Sequence, residues 1–267
     1  MKRNSSVGKF FALLGVDFYK LFRSVSFYVV FGVYALFMLI SVLLSFAAKR
    51  LTGDLLGMED TLNANMLFGS SMSYGNLGLF LVIFFAIFLC SEFRTNTIRN
   101  KVTLGYSRTC VYFASLTFTY IVSAMAVVLG CLITAVAGIP LLGWSHTDYA
   151  LQYALYALFA LLPLVSLIHT LSYGSKSLGI ALGVGLPVML VLPSILSVLN
   201  IFATGSKAVE WVIRILFISL EEYVPLTIQG FGEELKYLAL NAALSYTLWT
   251  ALFIVCGYFS FVKRDIK

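Results

Sequence analysis

Long apolar runs with few or no charged residues recur along this 267-residue chain and constrain its fold more than any other feature. A run of about 18 apolar residues is long enough to cross a hydrocarbon core about 30 Å thick as a helix. A helix also satisfies its backbone hydrogen bonds internally, which lipid cannot do for it. Only 11% of the residues are charged, against about 25% in soluble domains. The sequence therefore predicts an all-α integral membrane protein.

Charge clusters divide the chain into six predicted spans within one membrane domain that covers residues 1–267. The basic N-terminus is similar to that of a secretory signal, but charged residues interrupt its first apolar run at Asp17, Lys20 and Arg23. The next run has full spanning length and no small-residue cleavage site, so we expect it to be retained as the first span. The predicted spans cover about residues 26–48, 76–91, 110–132, 151–173, 178–202 and 241–262.

The third apolar run continues without charge as far as Leu141, which is too long for one straight span. Proline cannot donate the backbone hydrogen bond that a helix interior needs, and glycine weakens a helix. We therefore expect the outer extension of this span to end at the sequence Gly138-Ile139-Pro140.

The distribution of basic residues predicts that both termini face the cytoplasm. With that orientation, 13 of the 18 Lys and Arg residues lie in cytoplasmic segments, and nine of the 12 acidic residues lie outside. This bias follows the positive-inside rule, so the net charge of +6 reflects topology and gives no reason to expect nucleic-acid binding. The 13 basic residues are Lys2, Arg3, Lys9, Lys20, Arg23, Arg94, Arg99, Lys101, Arg108, Lys176, Lys263, Arg264 and Lys267.

Residues 7–24 are predicted to form an amphipathic helix in the cytoplasmic interface. At about 100° per residue, the polar residues Lys9, Asp17, Lys20 and Arg23 fall on one side, and Leu13 is the single misfit among the apolar ones. Such a helix rests its apolar face in the acyl boundary. The alternative is a frayed start of the first span. The apolar arc contains Phe10, Phe11, Leu14, Phe18, Leu21 and Phe22.

An outer helical segment is predicted over residues 205–235, before the last span. Its apolar part, residues 207–220, would extend about 21 Å as a helix and so falls short of a crossing. Glu210 and Arg214 form an i,i+4 pair on one stripe of this helix. We expect a re-entrant segment that dips into the membrane and caps the outer end of any pathway that the spans enclose.

Several kinds of chemistry are missing from the sequence. There is no G-x-x-x-x-G-K-[S/T] loop for nucleotide phosphates and no H-E-x-x-H metal motif. His146 lies in an outer loop, and a packing role is expected for His169. Ion-coupled transporters usually keep acidic residues at mid-membrane depth, and none of the six predicted spans has one. We expect no enzyme activity, no metal and no cofactor in this chain. If the chain transports a substrate, the energy for transport should arrive mechanically from outside the bilayer.

The segment from residue 92 to residue 108 is the part of the chain that is suited to a soluble partner. It combines a high density of charge with apolar residues at Phe93, Ile98, Val102 and Leu104. Positive-inside flanking explains the basic residues of this segment. It explains neither the acid Glu92 at the membrane edge nor the interleaved apolar side chains.

The run E-F-R-x-x-T-I-R-N-K from Glu92, followed by G-x-S-R and Tyr112, resembles the inner-loop signature of bacterial ABC exporter permeases of the type-2 class. The predicted spans, the interfacial helix and the F-x-K-R-D sequence from Phe261 also fit that family, although many members have glycine where this chain has Asn96. In the family, this segment couples to a separate ATPase. The resemblance implies contact roles for Glu92, Phe93, Arg94, Thr97, Ile98, Arg99, Asn100, Lys101, Gly105 and Arg108.

The resemblance also implies an assembly in a bacterial inner membrane. Two ATPase subunits would bind ATP and magnesium, and a second permease subunit, as in a homodimer, would complete the pathway within membrane lipid. A hydrophobic or amphipathic peptide is the expected cargo, ahead of drug-like molecules, lipids or polysaccharides. A membrane enzyme, a secondary transporter and a non-transporting immunity or sensor subunit are the alternative classes. The residues expected to line the pathway are Phe84, Phe88, Met189 and Leu192.

Overall fold

The computed structural model describes residues 6–56, 74–143, 150–202 and 232–263. The regular elements of these ranges are all helices, which confirms the all-α prediction. In chain order they are α1 (Ser6–Arg23), α2 (Val25–Leu56), α3 (Tyr74–Arg94), α4 (Thr97–Thr103), α5 (Arg108–Ile133), α6 (Ile139–Leu142), α7 (Ala150–Ser175), α8 (Leu178–Phe202) and α9 (Gly232–Val262), with a π-helical turn at Thr134–Gly138 between α5 and α6.

Several helices of the described chain are long and apolar enough to cross a membrane, so the protein is embedded in a bilayer. The helix α8 covers the predicted span 178–202, and its side chains are described continuously over the apolar stretch Leu178–Val191. The count of six spans therefore stays a prediction. The predicted pair Glu210 and Arg214 lies outside the described residues. The five candidate spans are Val25–Leu51, Asn76–Arg94, Arg108–Leu142, Leu158–Ser175 and Leu244–Val262.

The central helix of the bundle is α7, which contacts α3, α5, α8 and α9. Its most extensive contact is with α9, where the Thr170 hydroxyl donates a hydrogen bond to the Phe253 carbonyl oxygen at 2.7 Å. From α5, the Tyr112 hydroxyl donates to the Ile254 carbonyl oxygen at 3.1 Å. One turn further along α9, a Cβ added to Gly257 would lie 2.5 Å from the Thr170 hydroxyl oxygen. The close approach of α7 and α9 therefore depends on this glycine.

The helical path that begins with α5 continues beyond the predicted break at Gly138-Ile139-Pro140. The chain passes through the π-helical turn Thr134–Gly138 and then forms α6, with the proline in its first turn. A π-helical turn changes the hydrogen-bond spacing locally, and proline is tolerated in a first turn because its missing N–H has no helical partner there. The Lys49 ammonium donates to the Leu142 carbonyl oxygen at 2.7 Å and ties α2 to the end of this path.

The helix α1 turns towards the bundle a face that includes Asp17, which the hydrophobic pattern placed on the polar side. It packs along α5, and its most buried residues are Leu13, Asp17 and Leu21. Phe11 and Phe22, which belong to the predicted apolar arc, are 63% and 51% exposed. The assignment of Asp17 to the polar, outward side was wrong. Lipid accommodates apolar side chains as well as protein does, so hydrophobicity alone does not select the packed face.

Candidate functional site

Two changes of backbone direction form the segment that connects α3 to α5. Asn96, directly before α4, has φ 54° and ψ 18°, which is the left-handed helical region. The seven residues of α4 follow, and Gly105 then reverses the chain with φ 87°. The Ser107 hydroxyl accepts a hydrogen bond from the Cys110 backbone N–H at 3.2 Å and caps the start of α5. The segment is thus a short helix held between two defined turns.

Replacement of Asn96 tests the first turn. Asparagine and glycine tolerate the left-handed region, whereas β-branched residues do not. We expect Asn96→Gly to leave the thermal unfolding midpoint of the purified protein nearly unchanged. Asn96→Val should lower the midpoint, because it reduces the free energy of unfolding by about 1–2 kcal/mol. Equal midpoints for the two variants would mean that the turn does not depend on this backbone conformation.

The helix α4 has an inner side and an outer side. Ile98 and Lys101 are buried, at 1% and 6% exposure, whereas Arg99 and Asn100 face outwards, as does Leu104 directly after the helix. Of the ten residues that the sequence assigns to partner contact, those with buried side chains are Glu92, Ile98 and Lys101, those that are partly buried are Phe93, Thr97 and Arg108, and those that are exposed are Arg94, Arg99, Asn100 and Gly105. The outer side also includes Leu104, which is 77% exposed.

A cluster of four charged residues joins α4 to α1 and α3. The Lys101 ammonium lies 2.5 Å from the Asp17 carboxylate oxygen Oδ1 and 3.5 Å from the Glu92 oxygen Oε1. Lys20 lies 3.1 Å from the same Glu92 oxygen and 5.0 Å from the centre of the Phe88 ring. Because Asp17 and Glu92 are almost fully buried, at 2% and 1% exposure, each carboxylate needs a cationic partner. We refer to Asp17, Lys20, Glu92 and Lys101 as the charge cluster.

The electrostatics of the charge cluster distinguish the two groups in closest contact. Burial raises the pKa of the Asp17 carboxyl to about 6, the Glu92 carboxylate adds to this shift, and Lys101 opposes it. Burial acts to lower the pKa of Lys101, but the carboxylates of Glu92 and Asp17 together raise it above its usual range. Lys101 is therefore a permanent cation at neutral pH, and Asp17 titrates close to neutral pH.

Further contacts hold the segment to the rest of the bundle. The Phe93 ring packs edge-on against Tyr173 of α7, with ring centres 5.1 Å apart. The Arg108 guanidinium donates to the Val262 carbonyl oxygen at the end of α9 at 2.8 Å. The Lys9 ammonium of α1 donates to the Gly105 carbonyl oxygen at 3.4 Å. Movement of this segment would therefore change its contacts with α1, α7 and α9.

Sequence reasoning did not place Asp17 and Lys20 in this site. Both belong to α1, more than 70 residues before Glu92 along the chain, and only the packing of α1 brings them to α4. One signal was present in the sequence: Leu13 did not fit the predicted apolar arc, and Leu13 and Asp17 are one helical turn apart. They share the face that the bundle buries.

Three of the four residues expected to line a pathway are packed inside the helical bundle. Phe84, Phe88 and Met189 are at most 3% exposed. The Phe88 ring stacks on Phe84 and on Phe118, with ring centres 5.6 and 5.2 Å apart. The backbone of Leu192 lies in α8, but its side chain is outside the described part of the structure. A pathway role for these residues stays a prediction.

The buried histidine has a polar neighbour and two aromatic ones. His169 Nε2 lies 3.3 Å from the Ser115 hydroxyl oxygen, and the ring stacks on Tyr173 with centres 4.3 Å apart. The Tyr112 ring packs edge-on against the His169 ring, with centres 4.8 Å apart. Within the described ranges, no group of three or more His, Cys, Asp or Glu residues could hold a metal ion.

No model of a known protein family and no curated protein matches this sequence. What indicates a function for this chain is the geometry of the segment 92–108, its charges and the resemblance of its short motif.

Proposed function

We propose that this chain is the membrane-spanning subunit of an ATP-binding cassette exporter and that residues 92–108 contact a separate ATPase subunit. The observation that carries the proposal is the two-sided helix α4. Its inner side is fixed by Ile98 and Lys101, and its outer side offers Arg99 and Leu104 at the end of the bundle. A fixed helix with an exposed recognition surface is what a mechanical connection between two subunits requires.

The chemistry of the outer side indicates the kind of partner surface. Arg94 and Arg99 are exposed, whereas Glu92, the single acid between residues 92 and 108, is buried. Leu104 follows these basic residues along the chain and directly precedes the turn at Gly105. It is 77% exposed. An apolar anchor beside cationic residues suits a groove with an apolar pocket and an acidic rim.

The proposed assembly includes a separate source of energy, because this chain has no nucleotide-binding loop of its own. Two copies of an ATPase partner would bind ATP and magnesium. A second permease subunit, as in a homodimer, would complete the pathway in a bacterial inner membrane with both termini in the cytoplasm. ATP-driven closure of the ATPase pair can move the spans only through contacts that differ between two states. The charge cluster would transmit that movement from α4 to α1 and α3.

The expected cargo is a hydrophobic or amphipathic peptide. Phe84, Phe88 and Met189 offer aromatic and thioether surface that adapts to varied apolar shapes. They are packed in the single subunit, so transport would require α3 and α8 to separate at the interface between two copies.

The decisive experiment is purification of the tagged chain from its native membrane in mild detergent, followed by identification of co-purifying chains and an ATPase assay. A stoichiometric partner with a nucleotide-binding loop supports the proposal. The complex is then placed in lipid vesicles with panels of peptides, drug-like molecules and lipids. ATP-dependent transport identifies the cargo class. A purified chain that transports without any ATPase overturns the proposal.

Charge reversal on the outer side of α4 provides a sharper test. We expect Arg99→Glu to lower ATPase co-purification at least tenfold, because it places an acid against an acidic rim. The matched control is Arg23→Glu on α1, which also reverses an exposed basic residue. The Arg23 guanidinium donates a hydrogen bond to the Tyr19 hydroxyl at 2.8 Å. Equal losses for the two variants would indicate a general effect of charge and would argue against α4 as the contact.

A further inference from the structure

We propose that the Asp17 carboxyl is a pH-sensitive latch that holds α4 against α1 more tightly when it is protonated than when it is ionised. The latch concerns the contact between two helices of this chain. It therefore stands or falls independently of the proposed transport function.

The contact is suited to local opening. A helix of seven residues is too short to be stable by itself, so α4 depends on its inner contacts. Those contacts are made by Ile98 and by Lys101, and the carboxylate of α1 that meets Lys101 is Asp17. When α4 moves away from α1, Asp17 loses this partner and becomes accessible to water.

Two buried carboxylates share one ammonium group in the closed contact. The distances of 2.5 and 3.5 Å from Lys101 place the Asp17 and Glu92 oxygens within about 6 Å of each other. Two ionised carboxylates at this separation repel, and protonation of one removes the repulsion. The second Glu92 oxygen, Oε2, is buried without a hydrogen-bond partner. A protonated Asp17 gains an O–H donor that such an acceptor requires.

Other charged or titratable groups also face Asp17. Lys20 comes from α1 itself, Lys101 from α4, Glu92 from α3, and Tyr173 from α7. The helix α5 packs along α1 and presents the Phe118 ring beside Phe18 in this region. Lys101 keeps its proton at neutral pH, and Asp17 titrates near pH 6.

The direction of the effect follows from proton linkage. The pKa of Asp17 is about 6 in the closed contact, whereas an exposed aspartate has a pKa of about 3.9. The closed form therefore binds the proton more tightly, and acid favours closure. A change from pH 7 to pH 5 should lower the opening equilibrium constant about tenfold. Opening becomes easier as the pH rises through 6.

Amide hydrogen exchange on the full-length protein in detergent or nanodiscs tests the latch. Protection factors for residues 98–104, corrected for the intrinsic pH dependence of exchange, should rise about tenfold from pH 7 to pH 5. In Asp17→Asn, which cannot ionise, the same residues should show no such slope. Thr103→Ser, an exposed substitution on α4, should keep the wild-type slope, and the amides of α5 should show no comparable change.

The wild-type measurement tests the proposal without any variant. Protection that falls towards pH 5, or that stays constant, overturns it. An unchanged slope in Asp17→Asn also overturns it, because another group would then be titrating. These outcomes do not depend on whether an ATPase partner is found.

Discussion

Lys101→Met is expected to destabilise the protein by about 3–5 kcal/mol at pH 8, because it leaves two buried carboxylates without their shared cation. Methionine has a similar length and fits an apolar environment, so the loss would come from charge rather than from packing. Lys20 remains near Glu92 at 3.1 Å, but Asp17 loses the partner at 2.5 Å. The loss should shrink towards pH 5, where Asp17 is protonated.

Chemical or thermal unfolding of the purified variants measures this effect. The double variant Asp17→Asn with Lys101→Met should be more stable than Lys101→Met alone, because it removes the stranded acid together with its cation. Lys20→Met is the matched control. The Lys20 side chain is 28% exposed, so its removal should cost less than about 1 kcal/mol. Equal losses for Lys20→Met and Lys101→Met would contradict the central position of Lys101.

Gly257→Ala is expected to destabilise the contact between α7 and α9 by about 1–3 kcal/mol through overpacking. The added Cβ would lie 2.5 Å from the Thr170 hydroxyl oxygen and 3.2 Å from the Thr170 Cα atom. The hydroxyl can rotate, but a backbone atom yields only if the helices separate. Their separation would weaken the hydrogen bond from Thr170 to the Phe253 carbonyl oxygen.

Gly183→Ala in α8 provides the matched control for Gly257→Ala. A Cβ at Gly183 meets nothing within 4 Å, and alanine favours a helix over glycine by about 1 kcal/mol. We therefore expect the unfolding midpoint to be unchanged or raised in Gly183→Ala and lowered in Gly257→Ala. A lowered midpoint in both variants would show that glycine is required for a reason other than the approach of α7 to α9.

The secondary structure of this chain was largely predictable from its sequence. Each candidate span coincides with an apolar run, because lipid requires both a spanning length and internal backbone hydrogen bonds. The path through Thr134–Gly138 was less predictable. A proline and a glycine usually indicate a helix end, but here a π-helical turn lets the helical path continue to Leu142.

The sequence singled out the segment proposed for partner contact, but it did not predict the two sides of that segment. The motif indicated residues 92–108 as a unit, and the structure separates them into a buried side with Lys101 and an outer side with Arg99 and Leu104. The charged and apolar residues of this short segment carry no clear helical period. Their orientation depends on the turns at Asn96 and Gly105 and on the surface against which α4 packs.

The sequence by itself determined that this protein is embedded in a bilayer and that it is helical. The tertiary structure alone decided which face of α1 is buried and so brought Asp17 to Lys101. The physical reason is that length and hydropathy are local properties that a bilayer selects directly. The pairing of charges between α1, α3 and α4 depends on long-range packing, in which lipid-facing and protein-facing apolar surfaces are nearly equivalent.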